Sequence, residues 1–323
     1  MIKQKWYKKL VLAACIGALS CPALAGCSKQ ADPPDKKEAQ ATPEPTPVAI
    51  DHNEDKDSNL GHWGRAMGSV LLYLNDGNPY YFGGYEATQS NREGAVRVLS
   101  ESWGIESRED LLKQIQSLLK EGDRVSYLKE AGEMDALSKK QLKTAMEQLS
   151  GSLLLHYQNV KYNRKNWKKK GLLAWDMCRI SHLAQWGYIA GYVTLEEAQA
   201  LLEPAAKKLK KNFSNWEDVQ NNWLDGYCLF ANVDRKAAGN DYINRKTIYE
   251  TIKEEQTEDN LLYDDALFTQ EIIPLSSISY KEIMQEIAPE KKKTGKKKGK
   301  KNKNDNNSNE ETEDTAPATE EPI

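Results

Sequence analysis

The chain has 323 residues, 39% of them hydrophobic, a formal net charge of −3, five cysteines and four histidines. The apolar content suffices for a sizeable core, and no nucleic-acid partner is expected, because the lysine-rich tail that would suggest one in a cytoplasmic protein is expected to lie outside the membrane. His52, His62, His156 and His182 are scattered without ligand spacing, so no metal site is expected, and no cofactor-binding fingerprint is present.

Lys3, Lys5, Lys8 and Lys9 make a basic start, followed by an apolar run over residues 10–24 that is too short to span a bilayer. It ends in Leu24-Ala25-Gly26-Cys27, which resembles the bacterial lipobox. Leu12-Ala13-Ala14-Cys15 fits the same pattern, but too little apolar sequence precedes it. The resemblance implies a lipoprotein signal peptide over residues 1–26 and acyl chains such as palmitate on Cys27, which would anchor the chain to a membrane on its extracytoplasmic side. The alternative is an ordinary secretory signal cut nearby. Ser28 follows the cysteine where an aspartate would signal inner-membrane retention, so in a Gram-negative envelope the outer membrane is expected.

Residues 27–59 are rich in Ala, Pro, Asp, Glu and Lys, cannot build a core, and read as a disordered tether. Residues 289–323 read as a disordered tail, with lysines over residues 291–303 and then Glu310, Glu311, Glu313 and Asp314. Between them, residues 60–288 are expected to form a single irregular multi-helix domain of the all-α class. A first helix spans residues 63–75, and a loop over residues 76–91 carries Tyr80, Tyr81, Phe82 and Tyr85 around Gly83 and Gly84. A short helix covers residues 95–101. Ser107 with Asp110 caps a third helix that Gly122 ends, and Ser138 with Gln141 caps a fourth. Residues 161–170 read as a basic connector.

Residues 171–191 form the central helix, with Leu172, Trp175, Asp176, Arg179, Leu183, Trp186 and Ala190 within about a third of its circumference. Asp176 and Arg179 are three apart and are expected to neutralise each other on that buried face. Thr194 with Glu197 caps the next helix, which Pro204 should bend. Ser214 with Glu217 caps one carrying the stripe Trp216, Val219, Trp223, Tyr227 and Phe230. Residues 242–255 and 277–287 follow as peripheral helices. Cys178 and Cys228 remain in this domain, either bridged or acting as small hydrophobes.

Trp103-Gly104-Ile105 with Ser107, Arg108, Leu111 and Leu112 begins an ordered series of motifs. It continues through Trp175-Asp176 with Arg179, Gln185-Trp186-Gly187-Tyr188, Gly191-Tyr192, Glu197-Ala198, Phe213-Ser214-Asn215-Trp216-Glu217 and Gly226. Over about residues 62–235 this series resembles the bacterial domain of unknown function family numbered 1266. The resemblance implies an all-helical fold and brings no established activity. It also implies an arginine and then a large aromatic after the last glycine, where this chain has Tyr227-Cys228.

The candidate catalytic residues are Asp176, Arg179 and, as a third member, Glu197; the competing reading is an internal ion pair that fixes helix register. Arg179 would hold Asp176 ionised, which disfavours acid–base work, and His182, at the edge of the same helix face, reads as a satisfied boundary residue in preference to a base. Tyr80, Tyr81, Phe82 and Tyr85 form either an exposed recognition surface or a lid folded on the core. The first functional reading is a membrane-anchored extracytoplasmic binding module for a protein or an anionic envelope polymer. The others are an envelope enzyme using Asp176, Arg179 and Glu197, and an immunity-type lipoprotein that neutralises a toxin.

Overall fold

The computed structural model describes residues 58–288 except Ala87 and Asp259. The expected signal peptide with Cys27, nearly all of the expected tether, and the lysine-rich tail lie outside the described residues. Among the described residues the regular structure is helical, with one isolated β-bridge between Thr257 and Asn260.

The helices in chain order are α1 (Leu60–Leu74), α2 (Gln89–Trp103), α3 (Arg108–Lys120), α4 (Gly122–Asp135), α5 (Lys139–Met146), α6 (Gly151–Trp167), α7 (Leu173–Ala190), α8 (Leu195–Asn212), α9 (Trp216–Phe230), α10 (Asp241–Glu255) and the single turn α11 (Tyr280–Ile283). Short 3₁₀ turns occupy Lys168–Lys170, Asp265–Phe268 and Met284–Ile287.

Local chemistry starts most of these helices. Thr88, Ser107, Asn215 and Asn240 each accept the N3 backbone N–H of the helix they begin, and Ser138–Gln141, Thr194–Glu197 and Ser279–Glu282 form reciprocal capping boxes. The cap of α9 is Asn215, one residue later than the expected Ser214, and α8 runs unbroken through Pro204. Two helices depart from expectation. Gly122 begins α4 as well as following α3, and the expected basic connector is the last part of α6 with the Lys168–Lys170 turn.

α7 is the axis, with α1, α2, α3, α8 and α9 all packed on it. The expectation of one buried face was too narrow: every residue of α7 except Arg179 and Tyr188 is buried. A helix covered on all sides must also satisfy its inward polar groups. Ser181 Oγ donates to the Gly64 carbonyl at 2.7 Å, and Gln185 Nε2 donates to the same carbonyl at 3.0 Å. Gln185 Oε1 accepts the Gly83 N–H at 2.8 Å, which ties the aromatic loop to the axis. α1 comes close because it presents glycines: a side chain at Gly64 would run into Phe82 and Leu202, and one at Gly68 into the Gln185 amide.

The start of the described chain is fastened to its far end. Asn59 N donates to the Ile273 carbonyl at 3.2 Å, Ile273 N donates back to Asn59 Oδ1 at 2.9 Å, and Ser58 Oγ reaches Gln199 Oε1 at 3.0 Å. These bonds hold the segment after α10 in place, where Tyr263, Leu267 and Phe268 complete the core beside Trp63 and Trp216.

Candidate functional site

Asp176 lies in the first turn of α7 with no exposed surface, facing the N-terminus of α4. The chain enters α4 through Gly122 at φ +59°, and Glu121, the residue before it, makes no side-chain cap. Asp176 supplies the cap from another helix. Its Oδ1 accepts the Asp123 N–H at 2.9 Å, and its Oδ2 accepts the Arg124 N–H at 3.1 Å and Arg124 Nη1 at 2.8 Å. A carboxylate at a helix N-terminus satisfies orphan donors and meets the positive end of the dipole. Gly122 is required twice over, since an L side chain disfavours that φ and any Cβ there would collide with the Asp176 carboxylate.

Arg124 is the close ionic partner of Asp176, and Arg179 is the more distant one. The expected pair meets at only 3.6 Å, between Arg179 Nη1 and Asp176 Oδ1, while Arg179 Nη1 donates to Asp123 Oδ2 at 2.5 Å. Arg124 also donates to the Leu118 and Leu119 carbonyls at the end of α3, both at 2.7 Å. Arg179 stacks between the Trp103 and Trp175 rings, 5.0 Å from each, and Trp175 Nε1 donates to Asp123 Oδ2 at 2.9 Å. The result is an alternating cluster of Asp176, Arg124, Asp123 and Arg179 that joins α3, α4 and α7 under an indole rim. Burial lifts the Asp176 carboxyl to about 6, with Arg179 and Arg124 pulling against it, so it is ionised at neutral pH.

Glu197 belongs elsewhere. Arg108 grips it with Nη1 and Nη2 at 2.8 and 2.7 Å, donates to the Tyr192 carbonyl at 3.0 Å, and uses Nε and Nη2 on Glu286 at 2.9 and 2.8 Å. The hydrogen bond from Arg108 holds the Glu197 carboxyl below its ordinary range. Glu197 is thus a cap and clamp residue of α8 and does not make a third member beside Asp176. His182 is buried against the Trp186 and Trp223 rings rather than set at a boundary. Burial, with Arg179 nearby, pushes its imidazole down to about 3, which keeps it neutral.

The aromatic loop folds back on the core. Phe82 is fully buried with its ring 6.0 Å from that of Tyr188, which removes it from any exposed surface. Tyr80, Tyr81 and Tyr85 stay half-buried at the rim, with Tyr85 Oη bonded to the Asn75 carbonyl. On α9, Trp216, Trp223 and Tyr227 are buried as expected, while Phe230 is 51% exposed beside Trp175. Cys178 and Cys228 are separate buried thiols, and burial raises both well above the usual thiol range.

A second buried polar cluster had no counterpart in the sequence analysis. Arg235 pairs with Asp225 at 2.7 Å, donates to Asn159 Oδ1 at 2.7 Å and Asn163 Oδ1 at 3.2 Å, and lies over the Tyr162 and Tyr242 rings. Asp225 also accepts Trp167 Nε1 at 2.7 Å. Asn159, Asn163 and Arg235 belong to none of the motifs quoted above, so the sequence carried no signal of this cluster.

A family model described as a protein of unknown function, DUF1266, matches residues 98–259. The chain belongs to this family. The match begins later than the expected 62 and ends later than 235, so it leaves out α1 and takes in α10. No curated protein and no solved structure matches the chain. Motif residues of the family converge in space: Trp103, Trp175, Asp176 and Arg179 share one cluster, and Gly226 lets α9 approach the Trp175 side chain closely.

Proposed function

We propose that this family member is a lipid-anchored, extracytoplasmic helical interaction module of the bacterial cell envelope, which contacts a protein or an anionic envelope polymer. The observation that carries the choice of module over enzyme is the complete burial of Asp176 against the start of α4. Its two oxygens accept two backbone N–H groups and the Arg124 guanidinium, and the carboxylate has no exposed surface through which a substrate could reach it to give up a proton. Glu197 is likewise held by Arg108. Leu24-Ala25-Gly26-Cys27 supports acylation of Cys27, and multiple acyl chains give lasting attachment. Partner contact then falls to peripheral features: the half-buried Tyr80, Tyr81 and Tyr85, and the lysines of residues 291–303.

The test is metabolic labelling with an alkyne fatty acid, followed by crosslinking from intact cells. Labelled wild-type protein in the membrane fraction, with Cys27→Ala unlabelled, is the expected result. The Tyr80→Ser, Tyr81→Ser, Tyr85→Ser variant should lose crosslinked partners while still folding. Unlabelled, soluble wild-type protein sinks the anchoring, and a turnover abolished by Asp176→Asn in a folded protein sinks the module.

A further inference from the structure

Two lysine-rich helix ends, distant in sequence, meet on one edge of the fold. α6 passes from Trp167 into the Lys168–Lys170 turn, and α8 ends at Asn212 after Lys207, Lys208, Lys210 and Lys211. Phe213 joins them, with its ring 6.4 Å from that of Trp167 and under Lys170 Nζ at 4.8 Å. The bond from Trp167 Nε1 to Asp225 holds the turn against the domain. Lys207 pairs with Glu203, and Lys210 reaches the Gln270 carbonyl. Lys165, Lys168, Lys169 and Lys211 are exposed, and neither they nor Lys208 form an ion pair among the described residues. Cations in a last turn complement the helix dipole, but that explains each helix end separately and not their common edge.

Aliphatic side chains border the same turn. Leu128, 38% exposed, lies on the Gly171 backbone directly after Lys170: a Cβ at Gly171 would be 3.0 Å from Leu128 Cδ2. Val125, one turn earlier on α4, is 50% exposed. Lysines for headgroup phosphates beside aliphatic groups for the acyl boundary form the pattern of an interfacial contact.

We propose that this edge docks on an anionic lipid surface, with Lys165, Lys168, Lys169, Lys208 and Lys211 facing phosphates and Val125 and Leu128 entering the headgroup region. A soluble polyanion would use the lysines but would leave the aliphatic pair without a role. The inference is independent of acylation at Cys27, because the chain used to test it lacks that residue.

The test uses the chain from Ser28 onward, with the lysines of residues 291–303 changed to glutamine so that the tail contributes nothing. Co-sedimentation is measured with phosphatidylcholine vesicles with and without about 30% phosphatidylglycerol. Binding is expected only to the anionic vesicles, and it should weaken steeply with added salt. Each neutralised lysine should lower partitioning about five-fold, so Lys168→Gln, Lys169→Gln, Lys211→Gln together should lower it about 100-fold. Val125→Ser with Leu128→Ser should lower it about ten-fold or more. Circular dichroism verifies that both variants fold. Absence of binding, or equal binding by wild type and the lysine variant, overturns the proposal. Soluble polyphosphate that binds wild type and the Val125/Leu128 variant alike, where vesicles also fail to distinguish them, assigns the edge to a polymer and overturns the lipid reading.

Discussion

Removing the Asp176 carboxylate should destabilise the domain more than removing any single surface charge. Asp176→Ala leaves Arg124, whose side chain is 11% exposed, without its counter-ion, and leaves the Asp123 and Arg124 N–H groups uncapped. Breaking a buried pair from one side costs about 3–5 kcal/mol, and loss of a cap about 1 kcal/mol. These overlap here, so about 4 kcal/mol is expected. Arg124→Ala should cost about 3 kcal/mol, because Asp176 retains two backbone donors and Arg179 at 3.6 Å. In the double variant neither charge is stranded, and a coupling of about 2 kcal/mol follows between Asp176 and Arg124. The corresponding cycle with Arg179→Ala should yield about 1 kcal/mol or less, since Arg179 has its short contact to Asp123, whose side chain is 45% exposed. Urea denaturation followed by circular dichroism measures all the corners at one pH and one salt concentration. A coupling between Asp176 and Arg179 that equals or exceeds the Asp176–Arg124 coupling would refute the assignment of Arg124 as the principal partner.

Two glycines with similar backbones offer a control on the same geometry. Gly104→Ala, at φ +63° with open space around it, should cost about 1 kcal/mol, whereas Gly122→Ala at φ +59° must also displace the Asp176 carboxylate and should cost about 3 kcal/mol or more. Equal shifts in urea midpoint would show that the carboxylate is not seated at Gly122. His182 makes the pH dependence specific: burial lowers its folded-state value from 6.5 to about 3, so its contribution is full above pH 6.5 and is lost as pH falls towards 3. Relative to His182→Phe, wild type should lose about 2 kcal/mol between pH 7.5 and pH 5.0, and a pH-independent difference would mean the imidazole is not buried neutral.

The parts of the fold legible in the sequence are those specified locally. Thr194 with Glu197 and Ser138 with Gln141 form boxes within four residues, and the apolar run of α7 marks a buried helix whatever surrounds it. α4 and α6 were missed because polar residues interrupt their inward faces. α4 buries Arg124 with Tyr127, Ala131 and Met134, and α6 buries Asn159 and Asn163 with Tyr157 and Val160. An arginine facing inward reads as solvent-exposed until its partner is known, and that partner is 52 residues away. The same distance hid the site. Asp176 and Arg179 were visible as charges on an apolar face, but the choice between a local neighbour and a remote one depends on where α4 docks, and no spacing within α7 encodes that. Glu197 was correct as a cap and wrong as a neighbour of Asp176, because Arg108 reaches it from α3.

The charge cluster has a structural reason to exist that apolar residues could not supply. α4 has little amphipathic character of its own, and its preceding residue gives it no cap. Hydrophobic contact by Tyr127, Ala131 and Met134 would hold it near α7 in more than one axial position, since apolar packing is not directional. Asp176 removes that freedom, because only one register brings the Asp123 and Arg124 N–H groups onto its two oxygens while Arg124 also reaches the Leu118 and Leu119 carbonyls. A buried ionic group is weak evidence for stability and better evidence for register. Asp123, fixed by that register, in turn anchors Arg179 and the Trp175 indole, so the Asp176 carboxylate sets the aromatic rim beside Phe230 through Asp123. The residues gathered around α7 therefore fix the positions of the helices packed on it.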